Sequence, residues 1–113
     1  MTRHWRHYTE EEVAELARTA SPASRSAERI CPACGVKKVR EYTHPWSGST
    51  GPKAMSYVWC SHCGRYAGST TPRPAGVDIR DPLTEEDHRR FLYDLPALLD
   101  HVDQLWETGV LPP

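Results

Sequence analysis

The sequence contains no apolar run close to the roughly 20 residues that a membrane-spanning helix needs. Residues 1–7 (MTRHWRH) also lack the apolar stretch of a secretory signal. We therefore expect a soluble cytoplasmic protein that does not contact membranes. Thiols in this reducing compartment seldom persist as structural disulfides, so the four cysteines are expected to serve another purpose.

Apolar residues are also few for the length of the chain. Of the 113 residues, 38% are hydrophobic and ten are proline. A polar, loop-rich chain of this size builds only a small core, so the fold needs stabilisation by a cross-link or a bound metal ion. The sequence predicts a single domain over residues 1–113 that depends on such stabilisation.

The sequence shows no convincing catalytic arrangement. Residues 48–51 (GSTG) lack the Gly-Lys-Ser/Thr ending of a phosphate-binding loop. Several histidines lie in polar or helical contexts, where surface or capping roles are favoured over catalysis. These are His4, His7, His88 and His101. We therefore expect a protein that is not an enzyme and has no small-molecule substrate.

The formal net charge of −1 hides a separation of sign along the chain. Between residues 29 and 74, seven Lys/Arg accompany a single acidic residue, Glu41. Between residues 75 and 113, nine Asp/Glu accompany three Arg. Since such asymmetry suits charged partners, both halves are candidates for a binding surface.

A helix signal and then a linker signal occupy the N-terminal region. Thr9 and Glu12 match a capping box, and apolar residues then recur at helical spacing, so a helix is expected over 9–20. Proline and serines follow it, and these residues favour a loop. Residues 21–28 are the predicted linker.

The C-terminal region 84–107 is predicted to form two successive helices. Thr84 caps the first, which we expect over 85–94. A helix tolerates proline in its first turn but not in its middle. Pro96 therefore starts a second helix, expected over 96–107.

Between the helical regions, the sequence predicts short β-strands. Residues 36–43 and 55–59 are rich in strand formers, and residues 65–70 could add a third strand. Residues 44–54 contain two Gly and two Pro, which favour turns. We expect a long, exposed and mobile hairpin loop there.

The strongest motif is a repeated pair of cysteines. Two residues separate the cysteines within each pair, glycine follows each pair, and 25 residues lie between the pairs. Such a turn aims both sulfurs at one point, and two such turns supply the four thiolates of a tetrahedral zinc site. The pattern predicts one structural Zn²⁺ per chain, held by Cys31, Cys34, Cys60 and Cys63.

This arrangement, over residues 30–70, resembles the zinc-ribbon class, whose pattern is two C-P-x-C-G-like knuckles on adjacent β-hairpins. Ser61 stands where that pattern has proline in the second knuckle. The resemblance implies a small antiparallel ribbon around one zinc ion but no particular task, because ribbons serve transcription, translation, nucleic-acid enzymes and protein contacts. With the flanking helices, we expect an α+β fold in which one N-terminal and two C-terminal helices pack on the ribbon.

Two alternatives to this ligand set stay open. The pairs could form a redox dithiol, although that interpretation expects a single pair at a helix start in a βαβ context. His62 lies between two of the cysteines and could replace one as a ligand, but its side chain should point away when both sulfurs bind. An all-cysteine set leaves no open position for water or substrate, so the metal would be structural.

The first of two binding hypotheses is a protein-interaction module, with immunity- or inhibitor-like binding of a basic target as its narrower form. The acidic C-terminal helices supply a charged face that would steer such a partner. That face could also be only a solvated surface. The candidate acidic residues are Asp94, Asp100 and Asp103.

The alternative hypothesis is a nucleic-acid-binding ribbon. Basic side chains that contact phosphates are interleaved with aromatic ones that stack on bases. The aromatic residues are Tyr42, Trp46, Tyr57, Trp59 and Tyr66. Those cations could instead compensate the −2 charge of a zinc tetrathiolate, and the aromatics could form the core. The candidate residues are Lys37, Lys38, Arg40, Trp46 and Arg65.

Overall fold

The computed structural model describes residues 4–20, 27–49, 51–72 and 80–112, and these form an α+β fold of five strands and three helices. In chain order the elements are β1 (Arg6–His7), α1 (Glu10–Arg18), β2 (Arg29–Ile30), β3 (Lys37–Gly48), β4 (Gly51–Cys60), β5 (Arg65–Pro72), α2 (Glu85–Arg90) and α3 (Leu95–Glu107). The predicted linker 21–28 lies outside the described residues except for Ala27 and Glu28. The expected fold class is confirmed at this level.

The strands form one mixed sheet in the order β1-β5-β4-β3-β2. Pairing is antiparallel from β2 through β5. The exception is β1, which runs parallel to β5 with Arg6 opposite Arg65. The antiparallel pairing expected within residues 30–70 is present, whereas β1 lies outside that segment and was not predicted, because a two-residue strand leaves no periodic signal in the sequence.

The predicted loop 44–54 is replaced by a long two-stranded ribbon. Strands β3 and β4 pair continuously as far as Gly48 opposite Gly51. The prolines fit because Pro45 lies beyond the part of β3 that pairs with β2, and Pro52 lies beyond the part of β4 that pairs with β5. Proline is tolerated where its missing N–H has no strand to bond.

The two capping boxes determine where α1 and α2 begin. Thr9 Oγ1 accepts a hydrogen bond from the Glu12 N–H at 3.2 Å, and Glu12 Oε1 accepts from the Thr9 N–H at 2.9 Å. Thr84 and Asp87 repeat the arrangement at α2. Both helices stop earlier than predicted, at Arg18 and Arg90.

The first turn of α3 contains proline, as the sequence indicated. Pro96 is its second residue, and Asp94 caps it by accepting a hydrogen bond from the Ala97 N–H at 3.1 Å. This cap replaces the predicted continuation of α2 to residue 94. Within the described ranges, no helix is both long and apolar enough to cross a membrane.

The described residues form two core clusters on opposite faces of the sheet. Trp59 and Cys60 are consecutive in β4, so their side chains point to opposite faces. Trp59 packs in one cluster with Leu99 and Val102 of α3. Cys60 packs in the other with Leu16 of α1. The sheet therefore lies between α1 on one side and α2 with α3 on the other.

Candidate metal centre

Two tight turns bring the cysteine pairs together. One connects β2 to β3 and the other connects β4 to β5. In each turn a glycine N–H bonds the carbonyl of the first cysteine: Gly35 to Cys31 at 2.8 Å, and Gly64 to Cys60 at 3.0 Å. Both glycines have φ of +77°, a conformation that residues with a Cβ rarely adopt. The sequence repeat thus corresponds to a structural repeat.

The four sulfurs converge at spacings that suit a tetrahedral metal ion. The Sγ atoms of Cys31 and Cys63 are 3.7 Å apart, as are those of Cys34 and Cys60, and all four lie within 4.8 Å of one another. Zinc–sulfur bonds of about 2.3 Å place tetrahedral sulfurs about 3.8 Å apart. A disulfide requires about 2.05 Å. The set could therefore bind a metal ion such as zinc.

Tyr8 completes the surroundings of the cluster, and sequence reasoning missed it. Its buried hydroxyl lies 3.2 Å from Cys31 Sγ. The residue reaches this position because its N–H bonds the Tyr66 carbonyl at 2.8 Å, just beyond the parallel pairing of β1 with β5. The only sequence signal was an aromatic residue directly before a helix cap, which does not indicate contact with a cysteine 23 residues away.

Burial and hydrogen bonds act in opposite directions on the cysteine pKa values. Burial raises the pKa of the Cys60 thiol, and the backbone N–H groups of Cys63 and His62 oppose this only in part. For Cys31, burial also raises the pKa, but hydrogen bonds from Tyr8 and from backbone N–H groups outweigh it and bring the pKa to about 7. A bound cation would favour the thiolate at every one of these positions.

His62 is exposed, and it is not among the residues whose ligand atoms converge. Its neighbours in sequence, Ser61 and Cys63, point inward: Ser61 Oγ bonds Asp103 Oδ2 at 3.3 Å, and Cys63 belongs to the cluster. The expectation that His62 points away from the sulfurs agrees with this placement.

Two of the predicted binding residues lie in the interior, against each other. Arg40 is 3% exposed and Asp103 is 8% exposed, and Arg40 Nη1 donates to Asp103 Oδ1 at 2.9 Å. Trp59 Nε1 donates to the same oxygen at 2.8 Å. The burial of these two side chains corrects their assignment to a partner-facing surface, because both are occupied within the fold.

The remaining predicted binding residues are scattered over the surface. Lys37 and Lys38 are exposed at the cysteine end of β3, and Trp46 is exposed toward its other end. Arg65 is half-buried, with Nη1 3.9 Å from Glu12 Oε1. Trp46 therefore lies apart from the two lysines along β3.

The two other acidic candidates already bond within the chain. Asp94 caps α3, as described above. Asp100 accepts a hydrogen bond from Trp5 Nε1 at 2.9 Å, which ties α3 to the segment before β1. Among the described acidic residues of this region, Asp94 and Glu107 are exposed, as are Glu85 and Glu86 in the first turn of α2.

A second convergence of potential ligands went unnoticed in the sequence. His44 of β3, Asp81 before α2 and His88 of α2 place ligand atoms within 4.8 Å of one another. Asp81 and His88 are seven residues apart, but His44 is 37 residues from Asp81. No local spacing links the three, so only the tertiary fold reveals the group.

Comparison with known proteins found no matching family, no matching curated protein and no matching solved structure.

Proposed function

We propose that the four cysteine sulfurs hold one structural zinc ion and that the protein is a non-enzymatic protein-interaction module of the zinc-ribbon type. The observation that carries the zinc assignment is the sulfur spacing of 3.7 Å in both cross-turn pairs. Four thiolates fill a tetrahedral zinc, so this ion would have no open position for substrate or water. Its role would be to hold the fold together.

The location of the cluster explains why the fold would need this ion. The cysteines join the β2–β3 turn to the β4–β5 turn, and β2 and β1 at the sheet edges are only two residues long. Short edge strands gain little from their own pairing. A zinc ion between the turns would hold this end of the sheet, in place of the larger apolar core that the composition does not supply.

The turn between α2 and α3 supports the interaction role. It exposes two large side chains, Leu92 at 64% and Tyr93 at 96%. Tyrosine is enriched at protein interfaces because it buries a large area with little loss of conformational entropy. Since these side chains contribute almost nothing to the core, a partner that covers them would gain apolar contact area.

Charges around this turn are mixed. Glu85 and Glu86 are exposed, but so are Arg89 and Arg90 on the same helix. Immunity- or inhibitor-like binding of a basic target would use the two glutamates for steering. The apolar pair in the turn would then supply most of the affinity.

The nucleic-acid alternative has less support from the geometry. Two of its aromatic residues, Tyr42 and Trp59, lie in the core and cannot stack on bases. Trp46 is exposed, but it is nine residues along β3 from Lys37, which is about 30 Å of extended strand. A single nucleic-acid strand would therefore have to span this distance to place a phosphate at Lys37 and a base against Trp46.

Metal analysis tests the zinc assignment. Protein purified under reducing conditions should contain about one zinc per chain, and chelation should unfold the cysteine end of the sheet. Cys34→Ser and Cys60→Ser should lose the metal, whereas His62→Ala should keep it. Metal-free protein that retains its fold would refute the proposal.

Affinity capture from the native host tests the interaction role. A protein partner should be recovered equally well with and without nuclease treatment, and the double variant Leu92→Ser/Tyr93→Ser should lose it. Val110→Ser is the matched control, because Val110 is also an exposed apolar residue but lies after α3. Recovery that disappears after nuclease treatment would favour the nucleic-acid alternative instead.

A further inference from the structure

Two imidazoles and one carboxylate meet on the face of the sheet covered by α2. His44 Nδ1 lies 2.7 Å from Asp81 Oδ2, and His88 Nε2 lies 2.8 Å from the same oxygen. The two imidazole rings are 3.9 Å apart between centroids. Three ligand atoms from three separate segments therefore surround one point.

The other carboxylate oxygen of Asp81 is held by different donors. Tyr42 donates its hydroxyl to Oδ1 at 2.6 Å, and the Leu83 N–H donates to Oδ1 at 2.9 Å. These bonds orient the carboxylate so that Oδ2 faces the two histidines. Hydrogen bonds of this kind orient metal ligands in known sites. Burial raises the Asp81 pKa, but the bonds from Tyr42, Leu83 and the histidines outweigh it and lower the pKa overall, so the group is an anion at neutral pH.

We propose that His44, Asp81 and His88 form a second metal site, which takes one divalent first-row transition-metal ion. An octahedral ion with ligand bonds of about 2.1 Å places neighbouring ligand atoms about 3.0 Å apart, and a tetrahedral ion places them about 3.4 Å apart. The observed separations of 2.7 and 2.8 Å are within a few tenths of an ångström of the octahedral value. The ion would replace the two imidazole protons that point at Oδ2, and each ring would keep a proton on its other nitrogen.

The ligand types select the class of ion. Two imidazoles and one carboxylate suit Zn²⁺, Fe²⁺, Co²⁺ or Ni²⁺, whereas Mg²⁺ and Ca²⁺ prefer oxygen ligands alone. This site would differ from the cysteine cluster because three protein ligands leave coordination positions free. The side chains of the three residues are 13–30% exposed, so solvent reaches the site.

The two sites are separate in the fold. His44 is seven residues along β3 from Lys37 at the cysteine end, which is about 23 Å of strand. An ion at the second site would connect β3, the segment before α2, and α2 itself. The proposal goes beyond the interaction role and does not depend on the cysteines binding zinc.

Metal titration of the purified protein tests the site. Protein saturated with its first equivalent of zinc should bind one further Co²⁺ or Zn²⁺ per chain in equilibrium dialysis. With Zn²⁺, long-range ¹H–¹⁵N spectra of the histidine rings should show coordination through Nδ1 of His44 and Nε2 of His88. A purely structural hydrogen-bond network would not take up metal or give these signals.

Matched variants separate this site from adventitious binding. His44→Gln and His88→Gln should each abolish the second equivalent and keep the first, whereas His101→Gln, a half-buried histidine on α3, should keep both. The Tyr42→Phe variant should still bind both ions, but its affinity for the second ion should be about 10–100-fold lower, because the hydrogen bond that orients Asp81 is lost. Circular dichroism checks that each variant is folded.

Two results would overturn the proposal. One is that the protein takes up no ion beyond any held by its cysteines up to about 0.1 mM free metal. The other is a second ion that binds His44→Gln and His88→Gln as tightly as it binds the unmodified protein. Since His88 is on the surface of α2 and only partly buried, His88→Gln provides a folded test even if His44→Gln disturbs the sheet.

Discussion

Arg40 of β3 and Asp103 of α3 form a buried ion pair that joins the sheet to its longest helix. The pair is fully engaged: Arg40 also donates to Glu28 at 3.1 Å and to Glu107 at 2.7 Å. Asp103 accepts from Ser61 as well, and so connects α3 to the second cysteine turn. The charge separation along the sequence is therefore partly an internal arrangement.

Loss of one member of this pair should strongly destabilise the protein. We expect Arg40→Met to lower the free energy of unfolding by about 3–5 kcal/mol, because it leaves the buried Asp103 carboxylate without its cation. Glu107→Gln is the control: its side chain is exposed, and the expected change is below about 1 kcal/mol. Urea denaturation with zinc in fixed excess measures both. An Arg40→Met effect as small as that of the control would contradict this assignment.

Tyr8 should tune the metal affinity of the cysteine cluster without being a ligand. Tyr8→Phe removes the hydroxyl that lies 3.2 Å from Cys31 Sγ. Without that hydrogen bond, the Cys31 pKa should rise above about 7, so protons compete better with metal at neutral pH. We expect one zinc per chain but about 10–100-fold weaker binding in a chelator competition.

The control for this prediction is Tyr93→Phe, since Tyr93 is fully exposed and far along the chain. It should leave zinc affinity unchanged. Equal affinity in Tyr8→Phe and the unmodified protein would mean that Tyr8 serves only as packing.

Signals within a few residues of one another predicted much of this structure. The Thr9 and Thr84 caps, the first-turn position of Pro96 and the paired cysteine turns all appear where the sequence indicated. Each depends on neighbours within one turn of chain. Predicting the four-cysteine cluster required one further inference, that two identical turns place their sulfurs around the same point.

Several features that sequence reasoning missed depend on residues far apart in the chain. The pairing of β1 with β5, the Arg40–Asp103 ion pair and the His44–Asp81–His88 group each join segments far apart in the chain. The ribbon over 44–54 was missed for a different reason. Its prolines and glycines favour turns locally, but pairing with the partner strand overrides that preference where no third strand needs their N–H groups.

Gly35 should be required for backbone geometry alone. Its φ is +77°, and a Cβ placed there would meet no atom within 4 Å. Gly35→Ala should therefore cost about 1–2 kcal/mol of stability from backbone strain without a steric clash. Gly35→Asn should cost less, because asparagine tolerates this conformation better. In thermal denaturation of zinc-loaded protein, the melting temperature should be highest for the unmodified protein, lower for Gly35→Asn and lowest for Gly35→Ala. Equal stability of all three would contradict the strain argument.

Salt and charge distinguish the two binding hypotheses. If the ribbon bound single-stranded nucleic acid, Lys37→Gln/Lys38→Gln would weaken it, and the log–log dependence of affinity on salt would become shallower by about 0.7 per lost phosphate contact. We expect neither change, since Arg40 is buried in its ion pair and Arg65 lies 3.9 Å from Glu12. The two remaining lysines give too few phosphate contacts for tight binding at physiological salt.

A second set of variants tests binding of the proposed protein partner. Glu85→Lys/Glu86→Lys reverses two exposed charges in the first turn of α2. We expect slower association with a captured basic partner, most clearly at low ionic strength, with little change in dissociation, because peripheral charges act mainly on encounter. Surface-based kinetics at two salt concentrations measure this. Submicromolar, sequence-tolerant oligonucleotide binding at physiological salt, with no effect of the glutamate reversal on any partner, would reverse our ranking of the two hypotheses.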